Sequence, residues 1–158
     1  MFTSLAGKSV LVTGGSLGIG KGIARVFGNA GAKVIIAARG EEAAAATAEE
    51  LGAAYVTGDV GNWEDVQRIV AKTVEVQGGL DVLCANAGAF PQTKIVEMEP
   101  DEWDEVMRTN LKSAFLCVKA AIPAFEKAGK GRVILTSSIT GPVTGYPGWS
   151  HYGASKSG

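Results

Sequence analysis

The sequence predicts an α/β fold, a doubly wound parallel sheet with helices on both faces, and three observations carry that reading. Five short apolar, β-branched runs recur along the chain, each separated from the next by a stretch of helical period. The runs are apolar at nearly every position rather than at alternate ones, as strands covered on both faces are. The strand-then-helix alternation repeats at intervals of about 25 residues, the spacing of crossover units in a parallel sheet. With 46% hydrophobic residues in 158, a substantial core can form, and the 22 glycines follow no collagen-like period.

The strands are expected at 9–13, 33–37, 54–57, 80–84 and 132–136, all five of them buried. Helices are expected at 18–29, at the alanine-rich 41–51, and at 63–76, where Val66, Ile69, Val70, Thr73 and Val74 form an i, i+3, i+4 stripe. A longer helix opens on the acidic Asp101-Glu102-Trp103-Asp104, as a helix N-terminus favours, and runs to about Lys127. Its apolar stripe passes through Trp103, Met107, Leu111, Ala114 and Val118, and Asn110 belongs to that inward side. A buried amide must find partners, either a structural water or a catalytic group. A last helical pattern begins near Tyr152 and the sequence stops within it, so the chain reads as ending inside a larger domain.

Charge and composition restrict the partners. Fifteen basic against sixteen acidic residues give a net charge of −1, without the basic footprint of a nucleic-acid binder, so any phosphate is bound locally. No apolar run approaches the roughly 20 residues of a membrane span, and the first residues lack the pattern of a secretory signal, so a cytoplasmic protein with no nucleic-acid or membrane partner is expected. Cys84 and Cys117 lie in apolar stretches without CxxC spacing and read as buried free thiols, and no metal is expected.

Directly after the first strand comes Thr13-Gly14-Gly15-Ser16-Leu17-Gly18-Ile19-Gly20, which opens the first helix. Glycines there permit positive φ and close approach of backbone N–H groups to a pyrophosphate, while the helix N-terminus supplies partial positive charge. Four glycines in seven positions exceed what a plain strand-to-helix turn needs, and the absence of Gly-Lys-Ser/Thr argues against an ATP-type P-loop. The second strand ends on Ala38 and Arg39 with no carboxylate until Glu41, which favours a 2′-phosphate partner over free ribose hydroxyls; a merely solvated arginine is the alternative. Asp59-Val60 follows the third strand, where it serves either an adenine edge or a turn.

Tyr152 and Lys156, four apart, fall on one helix face. An ammonium about 5 Å from a phenol stabilises the phenolate by roughly 3 kcal/mol, about two pKa units, which makes an acid/base couple physically sensible. By itself the spacing also fits two surface neighbours. Ser137-Ser138 closes the fifth strand at the carboxyl edge of the sheet, where a hydroxyl either serves a substrate oxygen or caps a turn.

Taken together, Thr13-Gly14-x-x-x-Gly18-x-Gly20, Asp59, Asn86-Ala87-Gly88, Asn110, Ser138 and Tyr152-x-x-x-Lys156 resemble the short-chain dehydrogenase/reductase family, in its non-extended branch and close to 3-oxoacyl-carrier-protein reductase-like members. The resemblance covers almost the whole chain and implies a single Rossmann-type domain at 1–158, with its C-terminal part missing, that transfers hydride between NADP(H), favoured over NAD(H), and a small carbonyl/alcohol substrate. It implies Tyr152 as general acid/base, Lys156 as the group that lowers its pKa and holds the nicotinamide ribose, Ser138 on the substrate oxygen, and Asn110 holding a water on a proton path. Gly14, Ser16, Leu17, Gly18, Ile19 and Gly20 would form the pyrophosphate turn, with Arg39, Asp59, Val60, Asn86, Ala87 and Gly88 along the rest of the cofactor. A homotetramer or homodimer is implied as well. Three departures accompany the match. Leu17 stands where NADP-preferring relatives often carry a basic residue, Ala85 stands where many have a second asparagine, and relatives continue well past the position of Gly158. The glycine spacing differs from the T-G-x-x-G-x-x-G of the epimerases and dehydratases of the extended branch. A non-catalytic nucleotide-binding module is the competing expectation, and the segment 141–151, with Tyr146, Trp149 and His151, is expected to wall the substrate pocket.

Overall fold

The computed structural model describes residues 4–158. Five parallel strands form one sheet in the order β3-β2-β1-β4-β5, with β1 at Ser9–Thr13, β2 at Lys33–Ala38, β3 at Ala54–Thr57, β4 at Val82–Ala85 and β5 at Arg132–Leu135. β1 is central. Its register pairs Val10, Leu11 and Val12 with Val34, Ile35 and Ile36 on one side and with Val82, Leu83 and Cys84 on the other. Strand order reverses between β1 and β4, and in open α/β sheets the carboxyl ends at such a point form a crevice.

The continuous apolar runs have the expected cause. Leu11, Ile35, Ala37 and Leu83 project from one face onto α3 (Trp63–Gln77) and α5 (Ser113–Ala128), meeting Val66, Ile69, Val70, Leu116, Cys117 and Ala121. Val10, Val12, Val34, Ile36 and Cys84 project from the other face towards Ala24 of α1 (Gly18–Asn29) and Ala48 of α2 (Glu41–Leu51). Both faces of the central strands are dry. Asn62 starts α3 by accepting a hydrogen bond from Asp65 N at 3.1 Å, and the left-handed Gly78 ends it.

β5 departs from expectation. Arg132, Val133, Ile134 and Leu135 are exposed, because β5 ends the sheet beside β4 and, among the described residues, no helix packs closely on either of its faces. The long helix is also not uniform. α4 (Pro100–Met107) passes through a π-helical turn at Arg108–Lys112 before α5 continues. The inward line runs through Val106, Asn110, Ser113, Cys117 and Ala121, one position away from the apolar stripe read in the sequence, while Trp103 is exposed and Met107, Leu111, Ala114 and Val118 are only half-buried. Polar side chains occupy that line because each is paired: Ser113 Oγ donates to Thr109 O at 2.5 Å, and Asn110 is bonded as described below. The chain finishes in α6 (Ser150–Ser157), which packs on α4 and the π turn. Among the described residues, no helix is long and apolar enough to cross a membrane.

Both cysteines are buried and free. Burial pushes the Cys84 thiol up to about 11 and the Cys117 thiol up to about 12. Because the thiolate is the nucleophile, neither should react with iodoacetamide at neutral pH in the native chain, and both should react in denaturant. Native labelling of either, read by mass spectrometry, would show that the helix–sheet packing opens.

Candidate active site

At the carboxyl ends of β1 and β2 lies a cleft of about 350 Å³ lined by Gly14, Ser16, Leu17, Arg39, Asp59, Val60, Ala87 and Gly88, together with Ala37, Ala38, Gly40, Ala43, Gly58 and Thr109. Eight of the residues singled out in the sequence for cofactor contact thus share one wall. Gly18, Ile19, Gly20 and Asn86 lie outside the lining, and three glycines of the turn each have their own physical role. Gly14 has φ +64°, and a Cβ there would sit 2.8 Å from Ala87 Cα, so it satisfies both a left-handed turn and a close approach of two loops. Gly18 is held by conformation alone, at φ +52° with open space around it. Gly20 is held by packing, since a Cβ would fall 2.1 Å from Gly14 O and 2.6 Å from Asn86 Nδ2. No side chain caps the N-terminus of α1 and no acid occupies its first turn, so its N–H groups and dipole face the glycine turn unopposed.

Asn86 ties the crevice together. Its Nδ2 donates to Thr13 O and its Oδ1 accepts from Thr136 Oγ1, both at 3.1 Å, while Thr13 Oγ1 accepts from the backbone N–H groups of Asn86 and Ala87. The ends of β1, β4 and β5 are thereby fixed to one another. Thr13 and Thr136 brace Asn86; the sequence offered Thr13 as the start of the glycine turn and Thr136 only as a strand end.

The far end of the cleft carries a pairing that the sequence did not disclose. Arg108, in the π turn, donates from Nη1 to Asp59 Oδ2 at 2.9 Å and grips Glu105 with Nε and Nη2 at 2.7 and 2.8 Å. Asp59 Oδ1 accepts from Gly61 N, and a Cβ on Gly61 would strike Arg108 Nη1 at 2.0 Å, so the glycine makes the room that the guanidinium fills. Arg108 holds the Glu105 carboxyl below the usual carboxylate range, with burial opposing it and weaker contributions from Thr109 and Arg39. Arg39 itself forms no ion pair within 4.0 Å among the described residues, and it reaches the cleft as an uncommitted cation.

Beyond Gly88 stand the other four candidates. A Cβ on Gly88 would lie 3.2 Å from Asn110 Oδ1 and 3.6 Å from Lys156 Nζ, so its bare backbone separates the cleft from these two side chains. Asn110 Oδ1 accepts from Ala89 N at 2.7 Å, and its Nδ2 donates to Ala89 O at 2.8 Å and to Ser155 Oγ at 3.0 Å. Its amide therefore joins the loop after β4 to α6. Lys156 Nζ donates to Thr136 O at 2.7 Å and lies 5.9 Å from the Tyr152 ring centre; burial pulls its ammonium below the usual lysine range. Ser138 Oγ accepts from Thr140 N at 3.1 Å, a turn contact that leaves its own proton free to donate. The neighbouring Ser137 Oγ donates to Lys156 O at 3.0 Å.

One expectation about the pocket wall fails. His151 is fully buried, with Nε2 3.0 Å from Glu102 Oε1, because the first turn of α6 packs against α4. Tyr146 and Trp149 do line a cavity of about 570 Å³ beside Tyr152.

A parallel sheet with a glycine-lined cleft at its switch point defines a Rossmann-type protein. Residues 8–158 match the short chain dehydrogenase family. The chain is 36% identical over 157 residues to oxidoreductase UcpA of Salmonella typhimurium, covering 96% of this chain and 59% of that protein. It is 37% identical to the 3-oxoacyl-[acyl-carrier-protein] reductase FabG of Vibrio cholerae, covering 98% of this chain and 64% of that one. A crystal structure of a short chain dehydrogenase from Mycobacterium smegmatis superposes with a TM-score of 0.94 at 34% identity, over 99% of this chain and 68% of that one. The chain belongs to the short-chain dehydrogenase/reductase family of oxidoreductases. It spans roughly six tenths of the length of the curated relatives it matches.

Proposed function

We propose that this chain carries the cofactor and acid/base machinery of an NADP(H)-preferring dehydrogenase that interconverts a ketone and a secondary alcohol, with 1–158 as one dinucleotide-binding catalytic domain. The observation that supports this reading best is the Gly88 junction. A cleft suited to a dinucleotide ends there against a buried amide, an ammonium and, one helical turn away, a phenol.

The cleft fits the cofactor. The uncapped N-terminus of α1 and the turn from Gly14 to Gly20 suit a pyrophosphate, Asp59 and Val60 an adenine edge, and Arg39 a 2′-phosphate. Ser16, Leu17, Ile19, Asn86 and Ala87 complete the contacts. A nicotinamide dinucleotide bound there would give or take the hydride. Tyr152 donates its hydroxyl proton to the carbonyl oxygen during reduction and removes the alcohol proton in the reverse direction. Lys156 stabilises the resulting phenolate, and the Ser138 hydroxyl donates to the same substrate oxygen as negative charge develops on it. Asn110 holds α6 in register with the loop after β4, so that Tyr152 and Lys156 keep their place beside Gly88. Exposed Phe115 and Ile122 on α5 support association with a second copy, as a homodimer or homotetramer.

Fluorescence titration with NADPH and NADH tests the cofactor assignment, and oxidation of each in the presence of ketones tests turnover. NADPH is expected to bind more tightly, and Arg39→Asp is expected to reverse the order; an unchanged preference would make Arg39 a plain surface charge. Cofactor binding without turnover on any ketone would identify a binding module instead.

A further inference from the structure

Four aromatic rings converge on one side of α6. Trp149 is central, with its ring centre 4.7 Å from Tyr146, 5.7 Å from Tyr152 and 6.5 Å from Phe90, while Phe90 and Tyr152 stand 6.1 Å apart in an edge-to-face arrangement. Phe90 comes from the loop after β4, and Tyr146 and Trp149 come from the loop between β5 and α6.

The two loops are clamped together. Thr93 N donates to Gly148 O at 2.9 Å and Gln92 Nε2 to Pro147 O at 3.2 Å, and a Cβ on Gly148 would strike Gln92 Cγ at 2.7 Å. The loops that carry the rings are thus held to one another, and Phe90 remains 67% and Tyr146 55% exposed. Clustered aromatic surface left open beside Tyr152 is surface offered to a ligand.

We propose that the substrate carries a neutral ring, aromatic or alicyclic, next to its carbonyl carbon, and that Phe90, Tyr146 and Trp149 hold that ring while Tyr152 addresses the oxygen. This rests on the reading of Tyr152 as proton donor. A planar or chair-shaped ring meets aromatic faces and edges without freezing rotatable bonds, an advantage a linear chain lacks. Aromatic faces also attract organic cations. Here the charge is wrong for one: Lys156 Nζ sits 5.9 Å from the Tyr152 ring, and the only charged residue lining the adjoining cavity is Lys94, with no carboxylate.

The test uses secondary alcohols of equal carbon number, 1-phenylethanol, 1-cyclohexylethanol and 2-octanol, together with β-methylcholine as the cationic probe. Binding to the full chain is measured by saturation-transfer NMR and calorimetry, with and without NADP⁺. Non-directional burial alone favours 2-octanol, the longer and more apolar chain. The two ring alcohols are expected to bind about tenfold more tightly than 2-octanol, and Phe90→Ala and Tyr146→Ala are each expected to weaken ring binding about three- to tenfold, the worth of one aromatic contact. NADP⁺ affinity should stay unchanged in both variants. The proposal is overturned if 2-octanol or β-methylcholine binds as tightly as the ring alcohols, if neither ring alcohol binds, or if ring affinity survives both substitutions. Failure of NADP⁺ to bind while ring preference persists would count against the cofactor assignment and leave this one standing.

Discussion

Replacing Tyr152 with phenylalanine is expected to lower ketone turnover by about 10²–10⁴-fold, the usual worth of a positioned general acid, while cofactor affinity changes less than about twofold. The substitution removes one oxygen and nothing else. The ring contacts with Phe90 and Trp149 persist, so α6 keeps its seat, and Lys156 keeps its bond to Thr136 O. Comparing kcat with the NADPH dissociation constant separates the two roles a tyrosine at this point could play. Equal loss of both would mean that the hydroxyl builds the cofactor wall rather than moving a proton. Retention of turnover within tenfold would remove Tyr152 from the chemistry.

Gly20→Ala is expected to be the most destabilising single methyl in the chain's first helix. The added Cβ would lie 2.1 Å from Gly14 O and 2.6 Å from Asn86 Nδ2. Neither neighbour yields easily, because the first is backbone within the glycine turn and the second donates to Thr13 O. Overpacking of this kind costs about 1–3 kcal/mol, and in a domain of this size each kcal/mol lowers Tm by about 2–4 °C. Gly22→Ala, two positions further along α1, supplies the control. Nothing lies within 4 Å of its would-be Cβ, so it should raise stability by about 0.5–1 kcal/mol through helix propensity alone. Thermal melts of the two variants should therefore move in opposite directions. A neutral Gly20→Ala would mean that the turn relaxes and that Gly14 and Asn86 are not rigidly placed.

Much of the architecture was legible because burial on both faces writes itself into composition. Val10, Leu11 and Val12 can only be a run of this kind if helices cover both sides of β1, and they do. That the glycine turn, Arg39 and Asp59 meet at one cleft was legible because backbone approach and strand ends have characteristic residue types. What escaped lies in pairings across long sequence separations and in details of helix phase. Arg108 and Asp59 are 49 residues apart, and neither residue alone signals the other. The inward line of α4 and α5 lies one residue before the apolar stripe because internally paired polar side chains, Asn110 and Ser113, occupy it, and hydropathy does not count them. His151 was placed on the pocket wall because aromatic neighbours suggested a lining; its carboxylate partner Glu102, on α4, draws it inside instead. The exposure of β5 escaped because an apolar run does not tell whether helices cover its faces.

The Asn86 junction also bears on the order of events as the chain folds. Its two side-chain hydrogen bonds reach back 73 residues to Thr13 and forward 50 residues to Thr136. Contacts so distant in sequence form late, since each requires closure of a long loop before any stabilisation is gained. A partly folded chain can therefore hold β1, α1 and β2 in near-native form and still possess no crevice. On the proposed reading, competence to bind would appear only when β1, β4 and β5, drawn from opposite ends of the chain, meet at one side chain, so that ligand affinity would report complete folding.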